Sequence, residues 1–234
     1  MKAIVCDVRR ALTGRWFWAA LLASTAALYL SIGQAADALM EDTDNFRFTL
    51  NDLLLMALRG DFGLLTLPAL SALPFAAQAL HEIKCGAVRP AVFRTGRRMW
   101  ILGKAAGCIL SGMVLQAAAA GLLGLILYAV RGGGILLAIN AEFHAALLRR
   151  MLCGGIWASV GCVMALATET SAAYLGPLCL CYALMMLGKR FFPAAVMLNP
   201  INWIDGGDGM LAGLETVSIL LQIVFLKRGV REYV

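Results

Sequence analysis

The sequence predicts an all-α integral membrane protein with six transmembrane helices, an amino-terminal interface helix and a re-entrant segment before the last helix. Hydrophobic residues make up 61% of the 234 residues and charged residues only 15%, whereas about a quarter of an ordinary soluble domain is charged. The charges lie between apolar stretches of about 20 residues, the length that crosses a bilayer. No polar linker divides the chain, so we treat residues 1–234 as a single transmembrane domain.

Six stretches between successive charged residues are long and apolar enough to form the predicted spans. They cover residues 16–36, 62–80, 105–130, 151–168, 170–188 and 209–226. Only helices satisfy their own backbone hydrogen bonds in lipid without closing a barrel, and these stretches are too uniformly apolar for alternating barrel strands. The first span is longer than the apolar core of a signal peptide, which favours its retention as an anchor.

The positions of the basic residues predict the orientation of the chain. Thirteen of the 20 Lys and Arg residues fall in residues 1–15, 81–104 and 227–234. Basic loops stay on the cytoplasmic side during insertion, so we expect a multi-pass protein of the cell membrane with both termini in the cytoplasm. Two pairs oppose this rule, because Arg149-Arg150 and Lys189-Arg190 fall outside in the same arrangement.

Two segments between the spans have unusual patterns. The first outer loop carries apolar positions at helical spacing, which predict a helix on the outer surface or a buried loop helix packed on the spans. These positions are Phe48, Leu50, Leu53, Leu54 and Leu58. Residues 191–208 are interrupted by Pro193, Pro200 and Gly206-Gly207. We interpret them as a re-entrant or interfacial segment that enters from outside.

His81 and Glu82 raise the hypothesis of a membrane-embedded enzyme that acts on lipid or peptide. A zinc protease would carry a second histidine four residues after His81, but Cys85 stands there, and His144 is expected across the membrane. We therefore predict no catalytic residue, no metal site and no enzymatic activity in this chain. A channel or structural subunit is a further alternative, because the spans contain few conspicuous polar residues.

Several features after the second span occur in a recognisable order. They are Glu82-x-x-x-Gly86, a turn that contains proline, a cluster of arginines, and Ile101-Leu102-Gly103-Lys104 at the start of the third span. A basic amino-terminal segment precedes the first span, and Ala167–Ser171 forms a tight turn between the fourth and fifth. In this order the chain resembles the permease (transmembrane) subunits of type-2 ABC exporters over most of its length.

The resemblance implies two segments that work with a partner. The segment after the second span would be a coupling helix in contact with a separate ABC ATPase subunit, and its residues here are His81, Glu82, Ile83, Lys84, Gly86, Arg89 and Arg94. The amino-terminal segment, with Arg9 and Arg10, would lie on the membrane as an interface helix. Two permease chains, identical or different, would pair with two ATPase chains.

The sequence also indicates the energy source and the kind of substrate to expect. No Gly-x-x-x-x-Gly-Lys-Ser/Thr motif occurs, so we expect no cofactor in this chain and ATP with Mg²⁺ on the partner ATPase. The net charge of +6 lies in loops between membrane spans, which favours lipid over nucleic acid as a partner. The apolar spans favour export of a hydrophobic or amphipathic substrate such as a lipid or antimicrobial peptide. Glu215 is predicted near the outer surface, where solvation or a place on the substrate path would explain it.

Overall fold

The computed structural model describes residues 2–33, 50–130, 141–170, 175–191, 199–203 and 208–233. The regular elements in these ranges are all helical, which confirms the predicted class. Ten α-helices follow one another along the described chain: α1 (Lys2–Thr13), α2 (Arg15–Ile32), α3 (Leu50–Arg59), α4 (Asp61–Ala72), α5 (Gln78–Lys84), α6 (Val88–Thr95), α7 (Arg97–Val130), α8 (Ala141–Thr168), α9 (Gly176–Phe191) and α10 (Asp208–Tyr233).

Four of these helices, α2, α7, α8 and α10, are long and apolar enough to cross a membrane. The consecutive helices α3 and α4 are bent by 65° and pass the same test only as a pair, either as one broken span or as a re-entrant loop. The described part of α9 is 16 residues long, about 24 Å at the helical rise, which is less than the roughly 30 Å hydrocarbon core. The described residues therefore provide four or five spans, and the prediction of six is not confirmed.

The predicted second span, residues 62–80, is wrong as a continuous helix. Helix α4 ends at Ala72, a turn covers residues 73–77, and α5 begins at Gln78. Pro74 lies in this turn, and proline cannot donate the next helical hydrogen bond. Helices α7 and α8 begin earlier in the chain than the predicted spans and α10 ends later, because all three continue through the charged residues that were taken as their limits.

Helix α3 confirms the second of the two interpretations of the outer loop. Leu50, Leu53 and Leu58 are buried against α2, α7 and α8, so α3 packs on the spans as a buried helix, while Phe48 lies outside the described residues. Most of the predicted re-entrant segment also lies outside them. Its described part is a 3-10 helix over Pro200–Trp203, and the Trp203 ring stacks on Trp157 of α8 with 5.4 Å between ring centroids.

Helices α7 and α8 approach each other most closely where two glycines face. A Cβ atom on Gly112 would lie 2.4 Å from the carbonyl oxygen of Gly154, and one on Gly154 would lie 2.7 Å from that of Gly112. Real side chains cannot occupy such positions, so the two backbones touch only because both residues lack a Cβ. Small residues provide this close packing in membranes, where lipid removes the hydrophobic drive between helices.

The pair Arg149-Arg150 lies inside α8 rather than in an outer loop, and Arg150 is buried with 1% of its surface exposed. Its guanidinium donates three hydrogen bonds: Nη1 to the Leu58 carbonyl at 2.7 Å, Nη2 to the Gly63 carbonyl at 3.0 Å and Nε to Gln116 Oε1 at 3.1 Å. Leu58 and Gly63 flank the bend between α3 and α4 at Gly60. Arg150 thus satisfies the Leu58 carbonyl, which the end of α3 leaves without a helical partner, and adds a donor to the Gly63 carbonyl in the first turn of α4.

The opposite side of this bend is held by α2. The Gly63 amide donates to Ser31 Oγ at 2.7 Å, and Ser31 Oγ donates in turn to the Ala27 carbonyl at 2.8 Å. A Cβ on Gly60 would lie 2.5 Å from the Ser31 Cβ, so glycine at the bend lets α2 approach. The bend is therefore held by side chains from two helices, α2 and α8.

Replacing the cation at the bend is expected to destabilise the chain. Arg150→Met leaves the buried Leu58 carbonyl without its donor and removes one donor each from the Gly63 carbonyl and Gln116, so we expect the free energy of unfolding in detergent to fall by about 2–4 kcal/mol. Arg149→Met removes the same charge at a partly buried neighbour and should cost less than about 1 kcal/mol. Chemical unfolding of the two variants makes the comparison, and equal losses would contradict the role of Arg150.

Candidate functional site

The segments that the sequence predicted on the cytoplasmic side meet at one end of the bundle. Arg97 Nη2 donates to the Lys227 carbonyl at 3.0 Å, which joins the start of α7 to α10. Ile83 of α5 and Val230 of α10 are buried in one cluster with Ala11 of α1. We call this end, made of residues 2–15, 78–104 and 227–233, the basic end.

The basic end contains a buried ion cluster centred on Lys104. Only 2% of the Lys104 surface is exposed, and its Nζ lies 2.7 Å from Asp7 Oδ1 and 2.7 Å from Glu82 Oε1. The ammonium also lies over the rings of Phe75 and Trp100, 5.6 and 5.9 Å from their centroids, within the range of a cation–π interaction. Lys104 of α7 thus links α1, which carries Asp7, to α5, which carries Glu82.

Glu82 receives four donors in this cluster. Besides Lys104, they are Arg10 Nη1 at 3.2 Å, Gln78 Nε2 at 3.2 Å and Trp100 Nε1 at 3.3 Å. Burial alone would raise the pKa of Glu82, but the hydrogen bond and charge of Lys104, with the bonds from Gln78 and Trp100, lower the pKa below its ordinary value. The carboxylate is therefore ionised and holds α5 to the bundle.

The structure divides the predicted coupling-helix residues into two groups. Glu82 and Ile83 are buried, so their side chains face the bundle and are not available to a partner, contrary to the expectation that they contact an ATPase. The other members lie on the surface of the basic end. These exposed residues are His81, Lys84, Gly86, Arg89 and Arg94.

The turn between α5 and α6 determines how these two helices are placed at the basic end. Gly86, just after the end of α5, has φ of +71°, a left-handed conformation that favours glycine. Pro90 does not stop a helix, because it lies in the first turn of α6, where a missing amide costs nothing. Lys84 Nζ donates to the Glu169 carbonyl just after α8, which fixes the end of α5 to the bundle.

Helix α6 carries an exposed aromatic residue that sequence analysis missed. Phe93 is 87% exposed, with Arg94 and Thr95 exposed after it. An aromatic ring among arginines is typical of the contact residues in protein interfaces. The sequence shows that Phe93 lies in a basic segment. It does not show which face of α6 is buried, so it could not indicate that Phe93 is exposed.

The amino-terminal segment forms a helix, as predicted, and α1 packs along α7. Arg9 and Arg10 are both exposed on it, and Arg10 reaches Glu82. Asp7, on the same helix, binds Lys104. No partner was predicted for Asp7 or Lys104, although a lysine among apolar residues just after Trp100 could have indicated burial.

His81 and Glu82 do not form a shared site. The Glu82 carboxylate faces Lys104, while the exposed His81 ring lies 3.6 Å from Cys85 Sγ through Nε2. Among the described residues, no group of three His, Cys, Asp or Glu side chains is placed to hold a metal ion.

Glu215, predicted near the outer surface, is buried between α10 and α8. It is 9% exposed, and a Cβ atom on Gly155, at the middle of α8, would lie 2.8 Å from its Oε1. Neither carboxyl oxygen has a hydrogen-bond partner among the described residues. Because an unpaired charge is costly inside a membrane, such acids mark functional paths more often than structural ones.

The same face of α10 carries a second unpartnered group. Gln222, seven residues after Glu215 and two helical turns along, is fully buried, and both atoms of its amide lack partners among the described residues. Ser218 lies between them, with its Oγ donating to the Glu215 carbonyl at 2.8 Å. A polar stripe on α10 thus faces the interior where α8 packs, and we call it the α10 stripe.

The pKa of Glu82 makes stability depend on pH. A carboxyl whose folded pKa is lowered stabilises the fold above its unfolded pKa, and this stabilisation is lost as pH falls through the folded value. At pH 7 we expect Glu82→Gln to lower the free energy of unfolding by about 2–4 kcal/mol, a loss that shrinks below the ordinary value of 4.5. Unfolding in detergent at a series of pH values measures this.

The matched control is Glu142→Gln, at the other end of the bundle. The ion pair of Glu142 with Arg59, 2.9 Å between Oε1 and Nη2, has both side chains exposed, so its loss should cost less than about 1 kcal/mol. Equal losses in the two variants at pH 7 would show that burial of the Lys104 cluster contributes nothing.

No protein-family model, curated protein or solved structure matches the chain. The function is therefore argued from the basic end and the α10 stripe.

Proposed function

We propose that this chain is the membrane-spanning permease subunit of an ATP-driven ABC exporter. The observation that carries the proposal is the two-sided character of α5 and α6. One side presents cations and an exposed aromatic ring at the basic end, and the other is joined by Glu82 to Lys104 of a membrane-spanning helix. A segment built this way can bind a soluble subunit and pass its movement to the spans.

The outer side of α5 and α6 suits a partner with an acidic, partly apolar groove. Phe93 would fill an apolar pocket, and Arg94 beside it would pair with carboxylates at the rim. We assign the partner as an ABC ATPase that holds ATP and Mg²⁺, as the resemblance implies. Arg89, on the same short helix, belongs to the same contact.

The inner side of α5, which carries Glu82, explains how a movement of the ATPase would be passed to the membrane-spanning helices. If α5 shifted alone, Glu82 would separate from Lys104 of α7 and Arg10 of α1, and a buried carboxylate would lose its cations, which costs several kcal/mol. A smaller cost results if α1, α5 and α7 move together, because Asp7, Glu82 and Lys104 then stay in contact. The ion cluster therefore favours rigid-body movement of these helices during an ATP cycle.

The α10 stripe supports a place for the substrate. Glu215 and Gln222 lack hydrogen-bond partners within the described chain, so separation of α8 from α10 would offer them to a polar group of the cargo. The surrounding apolar surfaces fit the hydrophobic part of an amphipathic cargo such as a lipid or antimicrobial peptide. A second permease chain, identical or different, would complete the path, as in the family that the chain resembles.

A double variant on the outer side of α6 tests the contact. We expect Phe93→Ala with Arg94→Glu to lower recovery of an ATP-hydrolysing subunit with the tagged chain at least about tenfold, because it removes an anchor and reverses a charge. Recovery is measured as ATP hydrolysis and photolabelling by an ATP analogue in the purified sample. Folding is checked by unfolding temperature, since both residues are exposed.

The control keeps the charge change and moves it away from α6. Arg190→Glu alters an exposed arginine of α9 and should leave recovery of the ATP-hydrolysing subunit unchanged. If the wild-type chain is recovered without any ATP hydrolysis, or if the α6 double variant recovers as much as wild type, the proposed permease role is wrong.

A further inference from the structure

A cavity of about 900 Å³ opens between α1, the start of α2, the end of α4 and α5. Its size falls at the upper end of the range for small-molecule sites, about 300–1,000 Å³. It adjoins the Lys104 cluster, because Arg10, Gln78 and Phe75 line it. Neither Phe93, Arg94 nor the α10 stripe lines it. Phe93 and Arg94, the two residues that test the ATPase contact, therefore lie outside this cavity.

The polar part of the cavity wall is positively charged. Among the described residues that line it, four carry basic groups and none is acidic: Arg10, Arg15, His81 and Lys84. Glu82 of the ion cluster pairs with Lys104 and with Arg10, so Arg15, His81 and Lys84 are the basic groups of this wall that it does not bind. The opening therefore attracts an anion, and several donors can converge on a single phosphate group.

The remaining wall is apolar and includes irregular backbone. Residues 73–77, the turn between α4 and α5, contribute Leu73, Pro74, Phe75 and Ala77. Non-helical backbone at membrane depth is tolerated where it is buried or lines a cavity. Trp16, 56% exposed at the start of α2, stands at the rim, and tryptophan at a span end is typical of the level of the lipid headgroups.

We propose that this cavity binds one anionic phospholipid. Its phosphate lies among Arg10, Arg15 and Lys84, and the first part of its acyl chains lies against Leu73 and Pro74. The arrangement fits this class because cations and apolar surface share one wall at the start of a membrane-spanning helix. A free anion would use only the basic part, and a neutral or zwitterionic lipid would gain little from it.

The test uses the full-length chain, purified in detergent and stripped of lipid. Native mass spectrometry measures binding of phosphatidylglycerol, phosphatidylcholine and inorganic phosphate to this chain alone. We expect phosphatidylglycerol to bind at least about tenfold more tightly than phosphatidylcholine. Equal binding of the two lipids, or binding of inorganic phosphate at the affinity of phosphatidylglycerol, would overturn the proposal.

Two matched double variants locate the binding. Arg15→Gln with Lys84→Gln removes two cations of the cavity and should weaken phosphatidylglycerol binding at least about tenfold. Arg97→Gln with Arg98→Gln removes two cations of the same end outside the cavity, and Arg97, like Lys84, donates to a backbone carbonyl. An equal loss in both double variants would assign the affinity to general surface charge and overturn the proposal.

A third variant acts without changing charge. Ala77→Trp adds volume on the partly exposed wall of the cavity and should also weaken phosphatidylglycerol binding about tenfold, with an unfolding temperature near that of wild type. Unchanged lipid binding in a folded Ala77→Trp chain would contradict the site. No ATPase enters these measurements, so their outcome is independent of the permease proposal.

Discussion

A cation that enters an apolar bundle must find its hydrogen-bond partners there, because lipid supplies none. Lys104 and Arg150 meet this constraint in different ways. Lys104 pairs with the carboxylates of two other helices, whereas Arg150 binds one backbone carbonyl on each side of the bend between α3 and α4, and a glutamine. The positions of α1, α5 and the bent pair all depend on these two side chains.

The same constraint explains which parts of the fold could be predicted. The helical class followed from the length and composition of the apolar stretches, and the spans were bounded at charged residues. That boundary rule fails where a charge is buried: Arg150 lies well inside α8, and Lys104 lies inside α7. An apolar stretch between charged residues can also contain a turn. Residues 73–77 are apolar, yet they form the turn that separates α4 from α5.

The sequence predicted where the candidate site lies along the chain, but not which of its side chains face the bundle. Sequence analysis identified the segment around Glu82, and five of its seven residues are exposed there. It could not show that Glu82 and Ile83 face inward, because α5 has only 7 residues, too few for a periodic pattern to define a buried face. The buried position of Glu215 depends on the packing of α10 against α8, which one helix alone does not specify.

The central claim is that the Lys104 cluster connects an ATP-hydrolysing partner to the membrane bundle. The most direct measurement is the ATP hydrolysis rate of the purified complex, reconstituted in lipid, with the wild-type chain and with Lys104→Met. The account predicts that Lys104→Met retains the bound partner, because Phe93 and Arg94 are untouched, but reduces chain-dependent hydrolysis about tenfold or more. Wild-type hydrolysis by a Lys104→Met complex would contradict the claim.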